Sequence, residues 1–234
     1  VHKRTKDILA VKDIFTGDLQ ESSKSSLQDE IAALKLLRGG PHIIRLLDVF
    51  EEVEHTFMIM EECKGGDLLT RVTDKEVYTE REARKTCKIL FEAMDYIHKK
   101  KIAHRDIKPE NLLLSDQKDL NTINFADFSF AKFVKKRNSC RTLCGTPGYL
   151  APDMLECFPA YDIKCDVCSV GCLLFLLLGG YLPFDDEDDD VVFDQTRNGQ
   201  FDFRPEFWSG VSSGAKDLVT RMLTVNPKKR ISSS

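Results

Sequence analysis

Apolar and polar residues alternate in two stretches near the start of the chain, Asp7–Ile14 and His55–Cys63, and this period of two predicts two β-strands. Between them, apolar residues recur at helical spacing and predict an amphipathic helix. That apolar stripe consists of Leu27, Ile31, Leu34 and Leu37. The first part of the chain is therefore expected to be rich in strands and to carry one helix.

Two charged residues interrupt these apolar faces. Lys12 falls on the otherwise apolar face of the first strand, and Glu30 falls inside the apolar stripe of the helix. A buried charge is costly unless an opposite charge meets it, so Lys12 and Glu30 are expected to pair. A purely structural ion pair remains an alternative explanation of this pattern.

Helical patterns dominate from Thr79 onward, where a long apolar stripe precedes the basic run Lys99–Lys101. The members of this stripe are Ala83, Cys87, Leu90, Phe91, Met94 and Ile97. We predict an α+β protein with a small β-rich lobe, residues 1–62, and a larger, mainly helical lobe, residues 63–234. The boundary falls near Glu62–Gly66, where a pair of glycines follows the second strand.

A carboxylate interrupts a later apolar stretch. If residues 123–128 form a short strand, Ile123, Phe125 and Asp127 lie on one face of it. A carboxylate beside two large apolar side chains needs a cationic partner, which marks Asp127 as a candidate functional residue. The alternative is a cap of a helix or turn, a common role for an aspartate that precedes a loop.

The composition is that of an ordinary globular protein. The 234 residues are 42% hydrophobic, enough for one large domain or two modest lobes. Charged residues make up 31%, but the net charge is only -4, which argues against nucleic-acid binding by bulk charge. The eight cysteines lack the regular spacing of a secreted disulfide framework, so we expect an intracellular, cytoplasmic protein.

Two further features each leave two explanations open. Cysteines 140, 144, 165, 168 and 172 are interpreted as buried thiols, with a metal site as the alternative. The stretch Val167–Phe184 carries no charge and could suggest a membrane span. Gly179, Gly180 and Pro183 limit its helical part to about a dozen residues, so a buried core helix is predicted instead.

The stretch AHRDIKPENLLL, Ala103–Leu114, resembles the catalytic loop of eukaryotic protein kinases, His-Arg-Asp-x-Lys-x-x-Asn. Other stretches resemble further kinase motifs and follow in the order of that family. They are LAVK with the helix glutamate, ADFS in place of Asp-Phe-Gly, CGTPGYLAPD, YDIKCDVCSVGCLL and NPKKRI. The resemblance covers essentially the whole chain and implies the bilobal protein-kinase fold.

The resemblance implies transfer of the γ-phosphate of Mg-ATP to a protein hydroxyl, a reaction that needs positioning and charge neutralisation. Asp106 would accept or orient the proton of the substrate hydroxyl, and Lys108 would meet the transferring phosphate. Asn111 and Asp127 would hold Mg²⁺. The cationic partner of Asp127 would then be a metal ion.

The same resemblance assigns the nucleotide site. Lys12 would bind the phosphates of ATP while Glu30 steadies it. Glu61 and Cys63 would bind adenine through their backbones, and Met60 would close the back of that pocket.

Within the family, the lysine of HRDIKPEN and the threonine of GTPGY resemble the serine/threonine branch. GTPGYLAP, GGDLLTRV and FDFRPEFWSGVSSGAKDLVTRML look most like calcium/calmodulin-regulated kinases, whose regulation would reside in segments outside this chain. Asp67 and Glu110 match acidic positions that recognise basic substrates in such kinases, or else they face solvent or ribose. The acidic run Asp185–Asp190 would attract a basic substrate or form a solvated loop.

Thr142 matches the activation-loop threonine that is phosphorylated in many relatives. Arg105 and Lys132 are the expected partners of such a phosphate. An unmodified loop threonine is the alternative.

The chain departs from the family pattern at several positions. Ser129 replaces the glycine of Asp-Phe-Gly, and it would be strained if its φ were positive. Asp153 replaces a glutamate that pairs with the arginine corresponding to Arg230, and Cys168 replaces a common tryptophan. The chain is also expected to begin after the first strand and the glycine-rich loop, and to stop before the last helices. Without that loop, this stretch alone is expected to bind ATP poorly. Because of Ser129, Asp153 and Cys168, a pseudokinase scaffold with weak or no phosphotransfer is the alternative to an active serine/threonine kinase.

Overall fold

The computed structural model describes residues 1–75, 78–116, 118–134, 140–156 and 160–233. Strands dominate its first part and helices its second, as predicted. The first part contains β1 (Leu9–Phe15), α1 (Glu21–Leu37), β2 (Leu46–Glu51) and β3 (His55–Glu61). The helices of the second part are α2 (Leu68–Lys75), α3 (Glu80–Lys99), α4 (Pro152–Leu155), α5 (Lys164–Gly179), α6 (Asp189–Asn198), α7 (Pro205–Trp208) and α8 (Ser213–Met222). Its short strands are β4 (Ile102–Ala103), β5 (Leu112–Leu114), β6 (Ile123–Phe125) and β7 (Lys132–Phe133).

The first three strands form an antiparallel sheet in the order β1-β3-β2. Lys12 lies opposite Met58, which is fully buried, so its face of β1 points toward the interior. The two predicted strands are present with shifted ends, because β1 extends to Phe15 and β3 stops at Glu61.

Helix α1 buries the stripe predicted for it. All four of its leucine and isoleucine members are buried, and so is Glu30 on the same side of the helix. The charge therefore occupies a position where burial would favour leucine, which requires the ion pair described below.

Helix α5 is the centre of the larger lobe. Nearly all of its residues are buried, and it packs against α3, α7 and α8. It ends at Gly180, whose φ of 76° lets its N–H donate to the carbonyl of Leu176 at 2.8 Å. This confirms the predicted core helix. Within the described ranges, no helix combines the length and apolarity needed to cross a bilayer.

Helix α3 begins with a capping box. Glu82 Oε2 accepts the Thr79 N–H at 3.0 Å, and Thr79 Oγ1 accepts the Glu82 N–H. Lys75 also bonds to Glu82, and these hydrogen bonds lower the pKa of Glu82 to about 2. The neighbouring Glu80 carboxylate accepts the N–H and hydroxyl of Ser212 at 2.9 and 2.8 Å, which joins the start of α3 to the start of α8.

Two short strand pairs position the loops between the lobes. β4 pairs with β7 and β5 with β6, in both cases antiparallel. The expected strand at residues 123–128 is shorter than predicted, because β6 ends at Phe125. Asp127 lies beyond it with a φ of 51°, so it is placed by a left-handed turn and not by strand alternation.

Candidate active site

A cavity of about 490 Å³ lies between the first sheet and the helical lobe. It is lined by residues that are far apart in sequence. They include Lys12, Glu30, Met60, Cys63, Asn111 and Asp127. Together with Glu61, seven of the predicted site residues thus surround one space.

Lys12 connects two carboxylates at the back of this cavity. Its Nζ lies 2.6 Å from Glu30 Oε1 and 3.2 Å from Asp127 Oδ1. Burial alone would lower the pKa of Lys12, but the two carboxylates outweigh it and raise the pKa above its usual value. The pairing of Lys12 with Glu30 is confirmed. In the described chain, Lys12 is also the cation beside Asp127, where a metal ion was predicted.

Asp127 is held as a carboxylate. Burial would raise its pKa, but Lys12 and hydrogen bonding by Ser129 lower the pKa below its usual value. The Ser129 N–H lies 3.4 Å from Asp127 Oδ1. Among the described residues, the non-glycine positions with positive φ are Lys6, His42, Lys101, Arg105 and Asp127. Ser129 is not one of them, so serine is unstrained in this conformation.

The loop after α3 gathers polar side chains around Asp106. The Thr146 hydroxyl donates to Asp106 Oδ1 at 2.8 Å, and Lys108 Nζ donates to Thr146 Oγ1 at 2.8 Å. Asn111 Nδ2 donates to Asp106 Oδ2 and to the Asp106 carbonyl, both at 2.8 Å. Lys108 Nζ itself lies 3.7 Å from Asp106 Oδ2. The structure brings Asp106, Lys108 and Asn111 together as expected.

A buried carboxylate of α5 holds this loop, and it was not among the predicted site residues. Asp166 of α5 is fully buried and accepts the backbone N–H groups of His104 and Arg105 at 2.9 and 2.8 Å. It also bonds to His98 Nε2 at 2.9 Å. Burial would raise the pKa of Asp166, but His98, His104 and the backbone donors lower it. A lone carboxylate in an otherwise apolar helix was the available signal.

The side chains facing the cavity suit a hard divalent cation. Because the amide nitrogen of Asn111 donates to Asp106, the Oδ1 atom of Asn111 remains to coordinate an ion. Asp127 supplies a carboxylate on the same cavity. Oxygen ligands of this kind are those that Mg²⁺ prefers.

The opposite end of the cavity is formed by the end of β3. Met60, Glu61 and Cys63 line it, and burial raises the pKa of the Cys63 thiol. The Glu61 carboxylate accepts the Arg45 N–H at 2.8 Å, so this side chain is bonded to Arg45. The predicted contact of Glu61 with adenine would be made by its backbone. Asp67 differs from these three residues. Its carboxylate caps α2 by accepting the Thr70 N–H at 2.7 Å, and it is absent from the described lining of the cavity.

Comparison with known proteins shows the family of the chain. A family model of the protein kinase domain matches residues 1–234. The chain belongs to the protein kinase family. It is 37% identical over 223 residues to a calcium/calmodulin-dependent protein kinase type 1 of Macrobrachium nipponense, covering 95% of this chain and 64% of that protein.

Two relatives from Dictyostelium discoideum extend this finding. A probable serine/threonine-protein kinase, fhkE, is 40% identical over 213 residues, covering 88% of this chain and 30% of that protein. Myosin light chain kinase A is 34% identical over 233 residues, covering 100% of this chain and 78% of that protein. The relatives place the chain in the calmodulin-kinase-like group of serine/threonine kinases. The chain spans less than two thirds of the length of the first two relatives.

The expected regulatory residues of this kinase domain have other partners in the structure. Thr142 is exposed, and its carbonyl accepts the Tyr161 hydroxyl at 2.6 Å. Arg105 donates to that same hydroxyl at 3.0 Å and to the Phe130 carbonyl at 2.6 Å. Lys132 pairs with Asp29 of α1 at 2.6 Å. Arg105 is thus a buried cation that bonds to neutral oxygens.

The aspartate at position 153, whose side chain is shorter than that of the expected glutamate, changes the ion pair with Arg230. Arg230 Nη2 lies 2.6 Å from Asp153 Oδ1, so the expected pair is present. In the part of the chain that the structure describes, the buried Asp153 Oδ2 has no hydrogen-bond partner. Cys168, at the other departure, is fully buried in α5.

Proposed function

We propose that this kinase domain transfers the γ-phosphate of Mg-ATP to a serine or threonine hydroxyl of a protein substrate. The observation that carries the proposal is the convergence of Lys12, Glu30 and Asp127 on one cavity with Asn111. Asp106 adjoins that cavity through its bonds from Asn111. Phosphoryl transfer requires a cation for the phosphates, oxygen ligands for a metal and a carboxylate for the acceptor hydroxyl.

Each residue has a task that follows from its contacts. Lys12 is held in place by Glu30 and offers its ammonium to the phosphates of ATP. Asn111 and Asp127 would hold Mg²⁺, which would supply neutralisation of the phosphate charge. Lys108 reaches the transferring group from beside Asp106. Met60, Glu61 and Cys63 form the adenine end of the site.

Asp106 takes or orients the proton of the substrate hydroxyl. Its Oδ1 already accepts a hydrogen bond from an aliphatic hydroxyl, that of Thr146, at 2.8 Å. A substrate serine or threonine presents the same chemical group. Lys108 bonds to the same hydroxyl and thereby keeps its own ammonium close to Asp106.

The substrate is expected to carry basic residues near its target hydroxyl. Glu110 lines the cavity, and the carboxylates of Glu110 and Asp185 add to the effect of burial in raising the pKa of Tyr149. These two acidic residues, from distant parts of the chain, therefore approach the same tyrosine. Asp67 serves the substrate or the ribose from its position at the start of α2.

Two forms of regulation complete the proposal. A phosphate on Thr142 would give Arg105 the anionic partner that it lacks among the described residues. Lys132 would join them only by giving up Asp29. Calcium and calmodulin would act through segments outside this chain; one relative is named as a calcium/calmodulin-dependent protein kinase.

The test is phosphate transfer from Mg-ATP to a basic serine-containing peptide by the full-length protein. Asp106→Asn is the matched variant, because the amide keeps the size of the side chain and removes its charge. We expect transfer by the unchanged protein and a loss of about 10²–10⁴-fold in the variant, the usual contribution of such a group. No transfer by a folded protein would favour the pseudokinase scaffold, and equal transfer by both proteins would remove Asp106 from the proposed reaction.

A further inference from the structure

The turn between α1 and β2 is attached to the larger lobe. The Phe125 N–H donates to the carbonyl of His42 at 2.8 Å, and the Ile44 N–H donates to the carbonyl of Phe125 at 2.9 Å. Ile43 therefore forms a parallel bridge with Phe125, the last residue of β6. The backbone of the smaller lobe is joined here to the strand that leads to Asp127.

His42 occupies a costly position in this turn. Its φ of 58° lies in the left-handed region, which side chains with a β-carbon rarely adopt. Its imidazole Nδ1 lies 3.0 Å from the carbonyl oxygen of Ile123, at the start of β6. Since a carbonyl oxygen only accepts, Nδ1 carries the proton and donates. Nε2 then faces Glu92 of α3, with 3.9 Å between Nε2 and Oε2.

The imidazole thus bonds to β6 at a second point, two residues before the backbone bonds of Phe125. With its side chain and its carbonyl, His42 holds both ends of the three-residue strand. The side chain is 21% exposed, so the bond is only partly open to competing water.

The two elements joined by this turn carry the two carboxylates that meet Lys12. Helix α1 brings Glu30, and β6 brings Asp127 two residues after its end. A shift of the turn along β6 would move Glu30 relative to Asp127, and Lys12 could then no longer bond to both at 2.6 and 3.2 Å.

We propose that His42 is a positioning residue, which sets the register between α1 and β6 and so the spacing of the two carboxylates around Lys12. This role rests on the proposed phosphotransfer, since its consequence is the binding geometry of the ATP phosphates. The left-handed backbone of His42 is the cost of presenting both its carbonyl and its imidazole to β6.

The test compares His42→Gly with His42→Asn. Glycine accepts the left-handed backbone without strain but has no side chain to reach Ile123. Asparagine also tolerates that backbone and offers an amide N–H for the same carbonyl. Lys6→Gly is the matched control, because Lys6 has a φ of 65° and lies in an exposed turn far along the chain from β6. The readouts are hydrogen exchange of the Phe125 and Ile44 amides, the KM for ATP and the KM for the peptide.

In His42→Gly we expect exchange at both amides to accelerate and the KM for ATP to rise, each about two- to tenfold, as loss of one hydrogen bond implies. The KM for the peptide should stay within twofold, and His42→Asn should restore both changed quantities. Equal values for Gly and Asn, or an equal rise in both KM values, would overturn the proposal. If even the unchanged protein transfers no phosphate, the proposed function fails, while amide exchange still decides the role of His42.

Discussion

Two ion pairs join distant parts of this kinase domain, and they differ in what surrounds the cation. Arg230 is fully buried and donates to Asp153 and to the carbonyls of Thr224, Lys164 and Val225. Lys12 keeps 32% of its side chain exposed and faces a cavity. The first cation is surrounded by acceptors of the chain itself, whereas the second is held at one side and open at the other.

This difference separates a structural pair from one that can bind an anion. A buried guanidinium that is bonded on all sides gains nothing from a ligand. An ammonium has three donors, and in the described chain Lys12 uses two of them in hydrogen bonds to Glu30 and Asp127. The sequence alone left a structural role open for the Lys12 pair, and the cavity beside it is what favours the nucleotide.

The largest expected effect is on stability, from breaking the closed pair. Arg230→Met leaves Asp153 as a buried, uncompensated charge and strands three carbonyls. We expect the free energy of unfolding to fall by about 3–5 kcal/mol, measured by urea denaturation. Arg221→Met, at an exposed arginine of α8, should change it by less than about 0.5 kcal/mol. A loss in Arg230→Met no larger than in this control would contradict the distinction.

Breaking the pair of Lys12, which is open to the cavity, should lower the catalytic activity more than the stability. Lys12→Met removes the ammonium that faces the cavity, and we expect kcat/KM for peptide phosphorylation to fall by about 10²–10³-fold. The control is Lys24→Met, at a half-exposed lysine of the same lobe. Both variants are first compared by thermal unfolding to verify folding. Near-normal phosphorylation by a folded Lys12→Met would remove Lys12 from the site.

Lengthening one side chain should improve the closed pair. In Asp153→Glu the extra methylene lets the second carboxylate oxygen reach Arg230, which satisfies the atom that is now buried without a partner. We expect the free energy of unfolding to rise by about 0.5–1.5 kcal/mol. Asp48→Glu, on the exposed side of β2, is the control and should be neutral. A decrease in Asp153→Glu would mean that the surroundings lack room for the methylene.

The smallest effect is expected at a third pair, Lys75 with Glu82, which lies near the surface. The pKa of Glu82 is lowered to about 2, so its charged form stabilises the folded chain above the ordinary carboxyl pKa of about 4.5. That contribution is lost as the pH falls from about 4.5 toward 2. The difference in thermal midpoint between the unchanged protein and Glu82→Gln should shrink over this interval. A constant difference would exclude this titration.

The site residues that the sequence predicted are charged residues at positions where the pattern is otherwise apolar. Lys12, Glu30 and Asp127 interrupt apolar patterns, and the kinase motifs around them specify their neighbours. The strand expected to carry Asp127 was too long, because Asp127 enters the site through a left-handed turn that alternation does not describe.

Other contacts could not be predicted, since they depend on backbone groups brought together by the fold. Asp166 accepts hydrogen bonds from the N–H groups of His104 and Arg105, which lie about sixty residues away in the sequence. The His42 imidazole donates a hydrogen bond to the carbonyl of Ile123, which lies 81 residues away in the sequence. The conformation of Ser129 was also open, because whether serine is tolerated depends on a single dihedral angle.

Helix α5 has a consequence for the synthesis of this protein. Its apolar residues are covered by α3, which precedes it, and by α7 and α8, which follow. While the chain emerges from the ribosome, α5 therefore appears before α7 and α8 have been made. During that interval its largely apolar surface is exposed to other proteins, and aggregation competes with folding. The apolar surface of α5 is covered by α8 only after residue 222, the end of α8, has been released.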